Sequence, residues 1–210
     1  MRDNKDIIIT VGRQLGSGGG IIAGLLAKEF GCKLYDKELL NLAAKESGFS
    51  EKFFEQNDEK KGFFKSLFHL HTPYVSDNSF YNNKFSQEGL FQFQSDAIRK
   101  AADNGPCVFV GRCADYVLRD RKNILNIFIT AGMDRRIQSV CKRHDCDRAT
   151  ARKIIMDGES GRASYYNYYT SKRWGHSESY DLCINSDILG IEGTADFIKE
   201  IVRRKFGRQE

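Results

Sequence analysis

Ile7-Ile8-Ile9-Thr10-Val11, running directly into Gly12-Arg13-Gln14-Leu15-Gly16-Ser17-Gly18-Gly19-Gly20, is the stretch that decides the fold. The first five residues are β-branched and, Thr10 apart, apolar on both faces, which marks a strand buried in a parallel sheet. Five of the next nine residues are glycine. Beyond them, Ile21 to Phe30 carries apolar residues at helical spacing. Strand, glycine loop and helix in this order open an α/β nucleotide fold, because successive backbone N–H groups and the helix N-terminus make a positive cradle for phosphate. A merely tight strand-to-helix turn needs one or two glycines, not five.

Working outward, the spacing predicts a second strand over 32–35 that stops at Asp36, where open α/β sheets place ligand groups. A helix is expected over 37–45. Further on, the pattern predicts a helix over 87–103, strands over 106–110 and 124–129, a helix over 134–143, a strand over 180–185 and a last helix over 193–206. This alternation predicts a parallel sheet with right-handed crossovers. Two segments break the rhythm. Between 49 and 93 fall ten Phe and two Tyr among Asn, Ser and Lys, the composition of an inserted lobe with its own small core. Between 142 and 173, basic residues surround a tyrosine cluster whose rings either pack or stack a base, packing being the default.

The 210 residues suffice for one domain with a buried core, at 40% hydrophobic, 29% charged and 2 prolines. No stretch approaches the roughly 18 uninterrupted apolar residues of a membrane span. Met1 to Asp6 mixes charges and leads into too short an apolar run for a signal peptide, so a cytoplasmic location is expected. A net charge of +5 suits an anionic ligand but is too small to imply a nucleic-acid partner. The six cysteines are irregularly spaced and read as reduced thiols. Cys141 and Cys146 lack the second ligand pair that zinc requires, so no metal site is expected there.

The glycine loop lacks what phosphate loops usually carry. The Walker pattern would put Lys at 19 and a hydroxyl at 20, and both are glycine. A basic group must then come from elsewhere, since phosphoryl transfer is mostly positioning and charge neutralisation. Arg13 is the nearest candidate, with a forked guanidinium that can engage phosphate bidentately.

With these residues in view, the chain resembles the cytidylate kinase-like branch of the nucleoside monophosphate kinases. The resemblance rests on four blocks in order: residues 9–19, Tyr35-Asp36-Lys37-Glu38-Leu39-Leu40, Val110 to Leu118, and Arg162 to Thr170 with Trp174-Gly175 and Tyr180-Asp181-Leu182. It implies an α/β, three-layer P-loop kinase fold with a parallel sheet, over a single domain of residues 1–210. An inserted, acceptor-side helical lobe at 49–95 and a lid at 142–178 would complete it.

The implied activity is transfer of the γ-phosphoryl of ATP, with magnesium, to a (d)CMP-like nucleoside monophosphate. A catalytically weak or inactive nucleotide-binding regulatory module is the alternative. By position, Gly16, Ser17, Gly18, Gly19 and Gly20 match the donor phosphate loop, and Asp36, Arg112 and Asp115 the acceptor side. Arg148, Arg152 and Arg162 would act from the lid, with Arg13, Arg112 and Arg162 as the catalytic set. Two departures stand out: Val110 replaces the aspartate that precedes Gly-Arg in the family, and residues 157–162 are rich in glycine. Asp181 is expected to cap or anchor a loop.

Overall fold

A computed structural model describes residues 7–36 and 80–207. In chain order it holds β1 (Ile8–Arg13), α1 (Gly19–Phe30), β2 (Lys33–Tyr35), α2 (Phe80–Asp103), β3 (Cys107–Val110) and α3 (Ala114–Val117). β4 (Ile124–Thr130), α4 (Met133–His144), α5 (Arg148–Thr170), a 3-10 turn (Ser177–Ser179), β5 (Leu182–Asn185) and α6 (Gly190–Phe206) follow. The helix expected over 37–45 and residues 49–79 of the expected lobe lie outside the described residues.

The chain divides into two compact units, Met1–Lys37 with Ile98–Glu210, and Glu38–Ala97. Of the second, residues 80–97 are described, as the first part of α2. Local bonds tie the helix there, Gln92 Nε2 to Asp96 Oδ1 at 3.0 Å on its exposed side and buried Ser95 Oγ to the Phe91 carbonyl at 2.7 Å.

The first unit carries a five-stranded sheet in the order β2-β3-β1-β4-β5, every pair parallel. The two-residue period of the strands splits their side chains between two helical layers. Ile7, Ile9 and Val11 of the first strand segment join Val108, Val110, Leu125, Ile127 and Ile129 against Ile22, Leu26, Ala195, Ile198 and Val202 from α1 and α6. Fully burying each of these Ile, Leu and Val side chains contributes roughly 1.5–3 kcal/mol. The alternate residues face the other way. There Phe109 stacks on Tyr35 with ring centroids 5.2 Å apart, and Phe128 meets Trp174 at 5.2 Å and Tyr180 at 4.8 Å. A Cβ on Gly12 would stand 2.7 Å from Phe128 Cδ2, so glycine at the exit of β1 is what admits that ring.

One element exceeds what the pattern predicted. α5 runs unbroken for 23 residues through Gly158 and Gly161, inside the expected lid at 142–178, whose glycine-rich stretch 157–162 departs from the family. Asp147 starts it by accepting from Thr150 N at 2.7 Å, and Ser171 ends it in a left-handed conformation. Packing keeps it helical despite a cost of about 1 kcal/mol per glycine. Ile155 and Ala151 are fully buried against Ile137 and Val140 of α4, and a Cβ on Gly158 would touch Leu15 Cδ2 at 3.4 Å.

Candidate functional site

Strand order places the site. From β1 the chain moves to one edge through β2 and β3, then crosses to β4 on the opposite side of β1. The carboxyl ends of β1 and β3 therefore flank the switch point where open α/β sheets bind ligands. The segments that leave there are the glycine loop after β1, Asp36 after β2 and Gly111-Arg112-Cys113 after β3.

The loop is built for an anion. Gly16 and Gly18 take positive φ values of 84° and 78°, which only glycine adopts without strain. A Cβ on Gly16 would also stand 2.7 Å from the Arg136 carbonyl oxygen. The first intrahelical bonds of α1 run from Ile21 and Ile22 N–H to the Gly18 carbonyl, which leaves Gly19 and Gly20 as first-turn donors. That N-terminus has no side-chain cap and no acidic residue in its first turn. Ser17 is buried and its hydroxyl donates to the Gln14 carbonyl at 2.9 Å, while Ser186 Oγ donates to the Ser17 carbonyl at 2.9 Å. The serine shapes the loop and is not presented to a ligand.

The missing lysine has a structural counterpart. A Cβ on Gly19 would lie 2.5 Å from Arg13 Cβ and 3.1 Å from its Cγ, and a Cβ on Gly111 would collide with Arg13 Nη1. The Arg13 stem thus runs across the face of Gly19, the Walker lysine position, and its guanidinium ends at the loop after β3. One side chain spans both loops.

Arg112 approaches from that second loop on strained backbone. Gly111, Arg112 and Cys113 have φ values of 74°, 63° and 55° in succession. Each non-glycine residue there costs roughly 1–2 kcal/mol, and such outliers cluster at functional sites. Arg112 hydrogen-bonds Tyr165 of α5. Arg162, also on α5, donates from Nη1 to the Arg13 carbonyl at 3.3 Å.

Three guanidinium groups consequently share one region. Burial, then Arg162 and Arg112, pulls Arg13 down to about 9, while exposed Asp36 acts the other way. Burial also lowers Arg112 and Arg162, the latter further through Arg112 and Arg143, with Glu159 opposing. At neutral pH Arg13 stays cationic, so the site carries positive charge held near like charge.

The other expected residues are placed differently. Asp115 is buried, its carboxylate accepts from Tyr166 OH at 2.6 Å, and burial raises it above the ordinary carboxylate range. Arg148 is exposed and pairs with Asp134 at 2.6 Å, and Arg152 is exposed on the same helix. Asp181 anchors β5 to β4 by accepting from Asn126 N at 2.8 Å. Trp174 and Tyr166 belong to the packed layer. Among the described residues no group of three His, Cys, Asp or Glu gathers as a metal site.

Sequence reading missed Arg136 and Glu159. Glu159 Oε1 accepts from Leu15 N at 3.3 Å and pairs with Arg136 Nη1, and Arg136 is buried. Glu159 and Arg162 stand three apart and share a helix face once α5 is continuous, but no local signal ties Glu159 to a loop 144 residues away.

No helix among the described residues is long and apolar enough to cross a membrane. No curated protein matches the chain. Among solved structures it is similar to an uncharacterized protein from Eubacterium ventriosum ATCC 27560, at 28% identity over 93% of this chain and 98% of that one, with a TM-score of 0.71. It also resembles two shikimate kinases in fold. That from Bacteroides thetaiotaomicron is 12% identical over 94% of this chain and 98% of its own, TM-score 0.52. That from Acinetobacter baumannii, solved in complex with shikimate, is 10% identical over 98% and 97%, also at 0.52. The architecture is therefore that of the P-loop kinases. The cytidylate kinase-like family model matches residues 8–188, and the chain belongs to that family.

Proposed function

We propose that the protein is an ATP-dependent phosphotransferase that moves the γ-phosphoryl group to a (d)CMP-like nucleoside monophosphate. The observation that carries this reading is Arg13 lying across Gly19 and reaching Gly111, which supplies a cation where the lysine is missing. In this reading Gly16 to Gly20 hold the donor phosphates through backbone N–H groups and the positive end of α1. Arg13 neutralises the transferring group, between the donor loop and the acceptor. Arg112 binds the acceptor phosphate, oriented by Tyr165 and its strained backbone, and Arg162 adds charge from α5. Asp36 orients the acceptor, Asp115 holds the Tyr166 end of α5 in place, and Arg148 and Arg152 stand further out on the same helix. No covalent intermediate is required, because positioning and charge neutralisation supply most of the catalysis in phosphoryl transfer.

Magnesium fits as an ion carried by the nucleotide, since it takes phosphate oxygens, water and one or two carboxylates. Asp36, the acid that acts on Arg13, would supply the carboxylate. When bound, the ion would neutralise charge on the phosphates.

Phosphorus NMR of the protein with ATP and magnesium against CMP, dCMP, UMP, AMP and GMP tests the reading. A diphosphate formed from CMP or dCMP is expected. Tight ATP binding with no diphosphate from any acceptor would replace this reading with the regulatory module.

A further inference from the structure

Most N–H groups of the glycine loop are either turned to backbone partners or presented at the start of α1. Gln14 N–H donates to the Ile129 carbonyl at 3.0 Å and Ser17 N–H to the Gln14 carbonyl at 3.4 Å. Leu15 N–H is held by an anion. Its acceptor is Glu159 Oε1, at 3.3 Å, carried on α5 and 144 residues away in sequence.

The same oxygen is paired with Arg136 Nη1, and the Arg136 side chain is 5% exposed. Arg136 also closes on the loop from below, through its carbonyl oxygen against Gly16. Its Nε is buried and has no hydrogen-bond partner, so this guanidinium has donor capacity that Glu159 does not use. Two turns of structure therefore converge on one loop N–H: a carboxylate oxygen, the acceptor type a phosphate presents, and an incompletely satisfied arginine behind it.

We propose that Glu159 is a specificity-determining residue that stands in for a phosphate oxygen at Leu15 N–H and sets the affinity of the glycine loop for its donor. This rests on the loop being the donor phosphate site. An arriving phosphate oxygen takes Leu15 N–H, Glu159 withdraws, and the freed donors of Arg136 become available to the same anion. A loop held this way admits anions able to outcompete a tethered carboxylate, namely polyphosphates, and rejects monoanions of the acetate type.

The probe is inorganic pyrophosphate, titrated calorimetrically into the full chain. Glu159→Gln keeps an oxygen for Leu15 N–H but weakens that bond from charged to neutral, so pyrophosphate should bind roughly fivefold more tightly. Because the substitution leaves Arg136 buried without its counter-ion, the double variant Arg136→Leu with Glu159→Gln accompanies it, and melting checks both for folding. In the wild type, the carboxyl carbon resonance of Glu159 should shift when pyrophosphate is added, which needs no variant. Tighter binding in Glu159→Gln together with that shift supports the proposal. Unchanged or weaker binding in both variants, or a Glu159 resonance that ignores bound pyrophosphate, overturns it and leaves the donor-site reading intact. If neither pyrophosphate nor ATP binds any form, the donor-site reading falls, and this proposal with it.

Discussion

Substituting Gly19 by alanine should change sign with the residue at position 13. Gly19 is the first residue of α1 and its φ lies outside the left-handed region, so alanine alone would be favoured there by up to about 1 kcal/mol. Against this, the new Cβ would sit 2.5 Å from Arg13 Cβ and 3.3 Å from Ile129 Cβ. The nearer atom is the root of a side chain, fixed to the strand, and cannot swing away. Overpacking of this kind costs roughly 1–3 kcal/mol, so the collision wins and Gly19→Ala destabilises the wild type by about 1–2 kcal/mol.

In an Arg13→Gly background the collision is removed and only the Ile129 contact remains. The same substitution should then be neutral or stabilising. At roughly 2–4 °C per kcal/mol for a chain of this size, the difference is within reach of differential scanning calorimetry. An equal effect of Gly19→Ala in both backgrounds would refute the claim that the Arg13 stem fills the lysine position. The activity arm follows the same cycle. Gly19→Lys alone should lose turnover, since the lysine cannot enter without expelling Arg13. Combined with Arg13→Gly it should recover part of the activity that Arg13→Gly loses, roughly 100- to 1,000-fold for removal of one positioned cation.

Other expectations are as direct. Arg112→Gly should raise the melting temperature, because glycine relieves a left-handed residue worth roughly 1–2 kcal/mol, and should lower phosphotransfer; loss of both would show that Arg112 is chiefly structural. Asp115→Asn keeps an acceptor for Tyr166 and removes a carboxylate that burial raises. Since the folded state holds that proton more tightly than the unfolded state, the stability Asp115 contributes is full below its unfolded value of roughly 4 and is lost as pH rises through its raised folded value. The variant should be more stable at pH 7, with the gain shrinking toward pH 4; urea midpoints across pH check it, and a pH-independent loss would contradict it. Cys107 and Cys113 are buried and pushed up to about 12, chiefly by burial, whereas Cys183 is exposed. A chromogenic disulfide at pH 8 should label Cys183 quickly and those two only on unfolding, a pattern that peptide mapping resolves.

The alternation of strands and helices was legible because each strand is a short apolar run with a glycine or polar residue at its exit. Ile7 to Gly20 carried the first unit, and Pro106 to Arg112 the third strand and its loop. The continuity of α5 was not legible, since Gly158 and Gly161 argue against a helix until Leu15 and α4 are seen packed on it. The loss of the lysine could be read from Gly19, and Arg13 could be named as the nearest cation. That Arg13 requires glycine at both 19 and 111 could not, because those positions are brought together only by the parallel pairing of β1 with β3. Glu159 was invisible for the same reason: its partner loop lies at the other end of the chain.

Moving the cation from the helix to the strand changes what the site costs the protein. A lysine at the start of α1 would extend from the loop it serves. Arg13 instead leaves the end of β1, crosses Gly19 and ends at Gly111, among Arg112 and Arg162. Burial and its like-charged neighbours depress its folded pKa to about 9, so stability falls as pH drops toward that value and the full cost is present at neutral pH. The site is therefore a local source of instability that an anion relieves. Arg13→Met, which keeps most of the stem over Gly19 and discards the charge, should raise the melting temperature at low salt in the absence of nucleotide. Added pyrophosphate should narrow the gap by stabilising the wild type more than the variant. If Arg13→Met melts lower than the wild type with or without pyrophosphate, the guanidinium is held by interactions that outweigh its like-charge neighbours, and the site is not strained by its own charge.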